Sequence, residues 1–311
     1  MKTLLLAQKD GIARAVELLA EGVPVALPTE TVYGLAAHAL DPVACARIFE
    51  AKERPLSDPL IVHIPSLDWL PRIAFPSALA LALAERFWPG PLTLVVPRRA
   101  AIPDIVTAGQ ETVAVRMSGH PVFQEVVQAF GQPLAAPSAN RFGRISPTTA
   151  AHVLSELGGR IPLVLDGGSC AHGIESTIVS VLENHLRILR QGPVTAEDLS
   201  AFAPVSYGPA GVLAPGGMAS HYAPRTPLVI DAVPAPRGPR TGLLAWSAGG
   251  EGFAVTEFLS RSGDLREAAA NLYGAMRRLD EARLDVILAE PVPEIGIGAA
   301  IMERLRKAAA R

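Results

Sequence analysis

The sequence predicts an α/β protein built as two units. Three observations carry this. Helical and strand-like apolar patterns alternate from the first residues, the alternation breaks down in a Pro- and Gly-rich stretch after Ala203, and it then resumes. At 311 residues the chain also exceeds a comfortable single core.

In order, residues 10–19 have helical spacing, and 23–28 read as a short buried strand closed by proline. Asp41 and Pro42 open the next helix as N-cap and first helical position, running to about Lys52. Residues 60–64 read as a strand, 77–87 as a helix, 92–96 and 112–117 as strands, 121–130 as a helix and 133–137 as strand-like. Ser146 as N-cap, with Pro147 in the first turn, introduces a helix to Leu157. Strands follow at 163–165, 177–181 and 186–189, which completes a first unit over residues 1–204 with a mixed sheet. Residues 205–228 read as a linker, although His221 and Tyr222 side by side leave a lid over a site open as the alternative. A smaller α/β unit occupies 229–311, with strands at 241–246, 253–259 and 284–289 and helices at 264–282 and 298–310.

The 28 basic and 30 acidic side chains nearly cancel, for a formal net charge of −2. That balance supplies no global attraction for nucleic acid or an anionic membrane, so anion chemistry must come from local placement. Only Lys2, Lys9, Lys52 and Lys307 are lysines; the other 24 cations are arginines. Two cysteines, Cys45 and Cys170, exclude a disulfide framework and a four-ligand zinc site. The apolar run at the start meets Gln8-Lys9-Asp10 too soon for a secretory signal, and no run approaches the roughly 18 residues of a membrane span. A cytoplasmic protein without membrane contact is expected.

Several nucleotide and hydrolase signatures are missing. No lysine follows a glycine, which excludes a P-loop, and Gly296-Ile297-Gly298 lacks the third glycine of a dinucleotide fingerprint. There is no His-Glu-x-x-His and no Gly-x-Ser-x-Gly. The informative stretch is Pro28-Thr29-Glu30-Thr31-Val32-Tyr33-Gly34-Leu35, which sets hydroxyls, a carboxylate and a phenol after a strand, where α/β sheets collect ligands. It reads equally as a polar turn. Lys52 and Arg54 at a helix end read either as complements of the helix dipole or as a clamp for phosphates. His63, within an apolar strand, is by position alone an ordinary core histidine. Alternation puts Thr112, Ala114 and Arg116 on one strand face, and an inward arginine needs an anionic partner. Small residues at 135–140, the hydroxyls of 146–149 at a helix start, Glu175-Ser176-Thr177 and Arg190 complete a set of strand-end features that together describe a large site.

These residues resemble the YrdC/Sua5 family. The resemblance rests on Pro-Thr-Glu-Thr-Val-Tyr-Gly-Leu at 28–35, Lys-x-Arg-Pro at 52–55, Pro-Leu-Ile-Val-His at 59–63, Phe-Trp-Pro-Gly-Pro-Leu-Thr at 87–93, Val-Arg at 115–116, Pro-Ser-Ala-Asn at 137–140, Glu-Ser-Thr-Ile-Val at 175–179 and Arg-Gln-Gly at 190–192. Ser-His-Tyr-Ala-Pro at 220–224 and the C-terminal unit extend it to the longer, Sua5 type.

The resemblance implies a twisted mixed sheet with helices around a concave cleft, followed by a small Rossmann-like domain. It implies a nucleotidyltransferase that joins L-threonine, bicarbonate and ATP into threonylcarbamoyl-AMP, releasing pyrophosphate, for a separate tRNA threonylcarbamoyl-transferase complex. Mg²⁺ is expected with the nucleotide, without a dedicated protein metal site. Carried over by motif, Lys52, Arg54, Thr112, Ser138, Ser146 and Arg190 contact ATP, with Asn140 nearby and His221-Tyr222 closing over it. Lys52 and Arg54 are the catalytic cations. Thr31, His63, Arg116, Ser176 and the Ala136 backbone hold threonine. Asp58 stands where relatives often carry Asn, which puts a direct phosphate contact there in doubt unless Mg²⁺ intervenes. Two rivals are a double-stranded RNA or tRNA-binding module and a carbamoyl-transfer domain of hydrogenase-maturation type. Against the first, residues 1–205 hold 16 basic and 19 acidic side chains, not a basic footprint. Against the second, two cysteines exclude the accompanying zinc fingers.

Overall fold

The computed structural model describes residues 2–182, 184–208, 221–232, 235–236 and 238–310. Expectations for residues 209–220, most of the Pro- and Gly-rich stretch, lie outside the described residues.

Eleven strands form one mixed sheet: Leu4–Ala7 (β1), Val25–Leu27 (β2), Gly34–His38 (β3), Ile61–His63 (β4), Leu92–Pro97 (β5), Thr112–Arg116 (β6), Leu134–Ala135 (β7), Leu163–Asp166 (β8), Thr177–Val181 (β9), Leu186–Arg190 (β10) and Val205–Tyr207 (β11). Their order is β1-β8-β2-β3-β7-β4-β6-β5-β9-β10-β11. Its helices are Gln8–Ala20 (α1), Pro42–Lys52 (α2), Leu70–Ile73 (α3), Ala78–Phe87 (α4), Asp104–Thr107 (α5), Pro121–Phe130 (α6), Ala150–Leu157 (α7) and Ala196–Ser200 (α8). A second, all-parallel sheet of Leu228–Ile230 (β12), Thr241–Ala245 (β13), Val255–Phe258 (β14) and Val286–Ala289 (β15) runs in the order β12-β15-β13-β14, with helices Leu265–Glu281 (α9) and Ile297–Ala309 (α10). This is the mixed α/β architecture expected, with a small parallel unit behind it.

The caps explain where helices begin. Asp41 accepts from the Val43 amide at 2.8 Å to open α2, and Asp264 accepts from the Glu267 amide at 2.7 Å to open α9. The expected cap at Ser146 is corrected: α7 begins at Ala150 and its N-cap is Thr149, which accepts from the His152 amide. The physical reason is competition. Ser146 donates its hydroxyl to Glu175 at 2.5 Å, and the Pro147 carbonyl accepts from the Tyr33 amide, so this segment stays extended. The polar turn at 28–35 ends earlier than its motif, because Gly34 already starts β3, paired antiparallel with β2. Gly-Leu-Ala-Ala-His has little strand preference of its own; burial between β2 and β7 decides it. At the two ends of the expected linker, Val205–Tyr207 joins the large sheet and Leu228 opens the small one.

Two cores cover the large sheet. Leu18 and Leu19 of α1 meet Phe123 and Val126 of α6 over Leu27 and Leu165 on one side, while Ile48, Phe49, Leu83 and Val153 cover Leu35, Val62, Leu94 and Val115 on the other. Strand alternation turns Ile61, Val95, Ala114 and Ile178 away from Val62, Leu94, Val115 and Val179, into a small apolar patch. The third core crosses between the sheets: Val32, Ile145 and Ile174 join Leu272, Tyr273, Met276 and Ile301.

Helix α9 meets the large sheet unit at Gly173, which has φ 68°; a Cβ there would lie 2.4 Å from the Ala270 Cα and 2.5 Å from the Ala269 carbonyl oxygen. Backbone cannot step aside as a side chain can. Gly173→Ala is therefore expected to destabilise the chain by about 2 kcal/mol or more, read as a lower denaturant midpoint. An unchanged midpoint would show that this contact does not constrain the pairing of the two units.

Candidate functional site

Strand ends deliver the polar groups. β4 and β6 run parallel with His63 beside Arg116, so an imidazole and a guanidinium emerge together at their C-terminal ends. Ser176 lies just before β9, and Arg190 ends β10 at a bulge that pairs it with Ile178, turning its side chain toward the same place. The turn after β2 adds Thr29 and Thr31, the end of β7 adds Ala136 to Ser138, and His221 and Tyr222 close the far side. These residues line one common cavity, partly open to solvent.

On one side Arg116 is held at three points. Its Nε donates to the Gly90 carbonyl at 3.2 Å, one terminal nitrogen donates to Thr31 Oγ1 at 3.0 Å, and the other lies 2.7 Å from Glu30. Gly90 belongs to the Trp-Pro-Gly-Pro motif, which thereby acquires a reason. Burial works against Glu30's charge, but Arg116, the Gly119 amide and Ser118 bring its pKa down to about 2. The hydroxyl directions are fixed as well. Thr29 donates to the Val32 carbonyl at 2.6 Å, so the 2.8 Å contact between Thr29 and Thr31 is donated by Thr31. With its proton committed and Arg116 donating to it, Thr31 meets a ligand as an acceptor. His63 is buried against Phe123, and its Nδ1 has no partner. Burial, then Arg116, lowers its pKa to about 3, so it is neutral.

Across the cavity Arg54 donates to the Asp58 and Pro59 carbonyls and ion-pairs with the Asp58 carboxylate at 2.9 Å. Burial raises the pKa of Asp58 and lowers that of Arg54. Arg190 donates to the Ser176 carbonyl and hydroxyl, and Ser176 touches Thr93 at 2.8 Å. Lys52 is fully buried and donates to the Ser138 and Asn140 carbonyls; burial and then Arg54 pull its pKa well down. His221 and Tyr222 are buried, with His221 Nδ1 and Tyr222 Oη unpartnered. Burial lowers the His221 pKa to about 3.

Of the residues singled out from sequence, Thr31, Arg54, His63, Arg116, Ala136, Ser138, Ser176, Arg190, His221 and Tyr222 line this one cavity. Lys52, Asp58, Asn140 and Ser146 stand behind it. Lys52 braces the Ser138–Asn140 segment, Asp58 holds Arg54, Asn140 donates to the Arg141 and Arg144 carbonyls, and Ser146 donates to Glu175. Thr112 is not brought in: it starts β6, about 13 Å along the strand from Arg116, opposite Pro97. Glu175 was missed as a lining residue although its motif was noticed. Tyr273 and Arg304, which bond Glu175, were missed entirely.

The two neutral histidines and two ionised carboxylates of this site shape the pH response, together with His38, His120, His152 and His172, whose pKa values burial also lowers. Unfolded His63 and His221 take up protons below about 6.5 and the folded ones only near 3; Glu30 and Glu175 do likewise between about 4.5 and 2. Through these groups the unfolded chain binds more protons, so they make stability fall as pH drops below 6.5, and more steeply below 4.5. Each fully titrating histidine contributes a slope of about 1.4 kcal/mol per pH unit. Denaturant midpoints from pH 7 to 4.5 test this, and His221→Gln should flatten the upper part of the curve. A curve unaffected by that substitution would contradict the neutral assignment.

Comparison with known proteins follows the same residues. The family model described as "Telomere recombination" (Sua5, YciO and YrdC) matches residues 17–192, and that described as "Threonylcarbamoyl-AMP synthase, C-terminal domain" matches 194–310. Threonylcarbamoyl-AMP synthase of Pyrococcus abyssi is 39% identical, over 94% of this chain and 92% of its own. The Bacillus subtilis protein of the same name is 41% identical, over 96% and 92%. The crystal structure of P. abyssi Sua5 complexed with L-threonine superposes with a TM-score of 0.90 at 38% identity, covering 99% of this chain and 98% of that one. The chain belongs to the YrdC/Sua5 family and carries its Sua5-type C-terminal domain.

Proposed function

We infer that this chain is a threonylcarbamoyl-AMP synthase, which condenses L-threonine, bicarbonate and ATP and releases pyrophosphate. The observation that carries the reading is the single cavity in which Arg116 and the acceptor Thr31 face Arg54 and Arg190. An amino acid offers a carboxylate and N–H or O–H donors, and Arg116 beside Thr31 is complementary to both. The phosphates of ATP suit the opposite cations.

In this reading the threonine amine captures bicarbonate with loss of water, giving a carbamate. A carbamate oxygen attacks the α-phosphorus, the bond to the β-phosphate oxygen breaks, and pyrophosphate leaves with that electron pair. No enzyme nucleophile is required. The protein aligns two anionic reactants and offsets charge on the departing pyrophosphate. Arg116 takes the threonine carboxylate, while Thr31 and the neutral His63 meet the amine and hydroxyl. Ser176, fixed by Arg190, stands between the two halves, and the Ala136 amide is committed to the Ile61 carbonyl, so a backbone contact from Ala136 to the ligand is made through its carbonyl. Arg54, Arg190 and Ser138 serve ATP, with Lys52, Asn140 and Ser146 holding the walls and Tyr222 over the nucleotide.

Mg²⁺ arrives with the nucleotide, held by its phosphates; among the described residues no group of three or more metal-ligating side chains is assembled. Residues 1–204 are the catalytic domain, 205–228 the linker and lid, and 229–311 the C-terminal domain. The product passes to a separate tRNA threonylcarbamoyl-transferase complex. A cytoplasmic setting fits this role, and among the described residues no helix is long and apolar enough to cross a membrane.

Pyrophosphate release from ATP should require both L-threonine and bicarbonate; release independent of threonine would sink the assignment. Arg116→Lys cannot keep the Gly90, Thr31 and Glu30 contacts and also fork onto a carboxylate. It should raise KM for threonine at least about tenfold, with KM for ATP nearly unchanged. Equal rises in both would remove Arg116 from the threonine side.

A further inference from the structure

The threonine half of the cavity carries a cation with its own anion attached. Arg116 lines that half, and Glu30, which does not line it, lies 2.7 Å from the guanidinium. The loop after β6 wraps the carboxylate: Ser118 donates to one oxygen at 2.5 Å and the Gly119 amide to the other at 3.0 Å. Its main chain is fixed too, because the Glu30 carbonyl accepts from the His172 amide at 2.8 Å. Glu30 is thus held in place, and its donors keep it ionised beside Arg116. Of the five N–H groups of Arg116, Gly90, Thr31 and Glu30 occupy three, which leaves two for a ligand.

The rest of this half carries no charge. Thr29 and Thr31 offer hydroxyls, and His63, which senses both Arg116 and Glu30, is neutral. Around Glu30, burial lowers the pKa of His120 and His172 and pushes the Cys170 thiol up to about 12, so these are neutral as well. The other arginines of the cavity, Arg54 and Arg190, stand across it. Arg116 and Glu30 therefore sum to zero, as do the ammonium and carboxylate of a free amino acid. A buried guanidinium with two free donors and no such partner would accept any small anion, phosphate and bicarbonate included. With Glu30 beside it, a simple anion would bury a net negative charge. A zwitterion adds none, and its ammonium meets the acceptor oxygen of Thr31 in the field of the carboxylate.

We propose that Glu30 is a positioning residue that sets the selectivity of the amino-acid side: it anchors Arg116 and cancels its charge, so that this side prefers a zwitterionic amino acid to an anion of the same shape. This rests on Arg116 taking the threonine carboxylate, as in the proposed function. Bicarbonate and the phosphates of ATP are thereby turned away from the place of the amino acid, although its arginine is less exposed than Arg54 or Arg190.

The test compares two ligands by calorimetry on the full-length chain, without ATP. They are L-threonine and (R)-3-hydroxybutyrate, which keeps the carboxylate, hydroxyl and methyl and lacks the amine. The native chain should bind threonine at least about tenfold more tightly; equal affinities overturn the proposal whether or not any variant folds. Glu30→Gln, with thermal midpoints as a check on folding, should cut that preference about tenfold, threonine weakening while hydroxybutyrate binds no worse. Glu30→Asp keeps the charge on a shorter arm and should keep the preference, although both ligands bind more weakly. If Glu30→Gln weakens both ligands equally, or leaves the preference unchanged, Glu30 only props Arg116 and the selectivity role falls. A native chain that binds neither ligand loses the threonine site and this proposal with it. One that shows the expected preference and its loss in Glu30→Gln, yet releases no pyrophosphate, loses only the reaction assignment.

Discussion

A carboxylate buried away from water must be surrounded by donors, and in this fold the donors to Glu175 come from both halves of the chain. Ser146 reaches it from the first unit, Tyr273 and Arg304 from the second, and Arg304 is fully buried. Stripping one partner from a buried ion pair costs about 3–5 kcal/mol, because the other charge is left without compensation. The two units are therefore joined by an electrostatic requirement as well as by the apolar core that Val32, Ile145 and Ile174 share with α9 and α10. Once α10 is placed, Glu303 fixes the Gln191 amide and Lys307 the His221 amide. The positions of Arg190 and His221 follow from it.

The cavity treats its cations in one consistent way. Arg54, Arg116 and Arg190 each donate to main-chain carbonyls, and Lys52 donates to two. Carbonyls steady a guanidinium without neutralising it, and its five donors leave some for a ligand. Two of the arginines also meet carboxylates, Asp58 and Glu30. Such groups need no reorganisation when charge develops, which is the condition for electrostatic catalysis in a water-poor site.

What the sequence discloses about this site depends on whether a residue's task is local. Asp41-Pro42 and Asp264 announce their helices, because a cap is chemistry among adjacent residues. Arg116 is legible because alternation turns it inward on a strand, where it needs an anionic partner, whereas His63 is legible only through the motif it shares with the family. Alternation places Thr112 on the face of Arg116 but says nothing of depth along the strand, and depth removes it from the cavity. Ser146 looks like a cap until Glu175 takes its proton, a contact between residues 29 apart in the chain. Tyr273 and Arg304 carry no signal at all. Each sits in an amphipathic helix where a buried aromatic or a long cation is ordinary, and their partner is about a hundred or more residues away. Lys52 stood out through scarcity, yet scarcity could not tell a residue that touches a ligand from one that braces a wall.

The near-zero net charge acquires its meaning from where the cations are. Arg54, Arg116 and Arg190 are 8%, 3% and 5% exposed and line one common cavity. At the surface, Arg14, Arg240, Arg278 and Arg306 are each matched to a carboxylate. Binding along a nucleic-acid backbone draws on exposed cations that displace counterions from many phosphates at once. A cluster of buried arginines offers the reverse: strong fields over a few ångströms, little beyond a Debye length, and access only for a ligand small enough to enter. Charge distributed in this way selects a nucleotide and an amino acid over a polynucleotide, without any net attraction between the protein and polyanions.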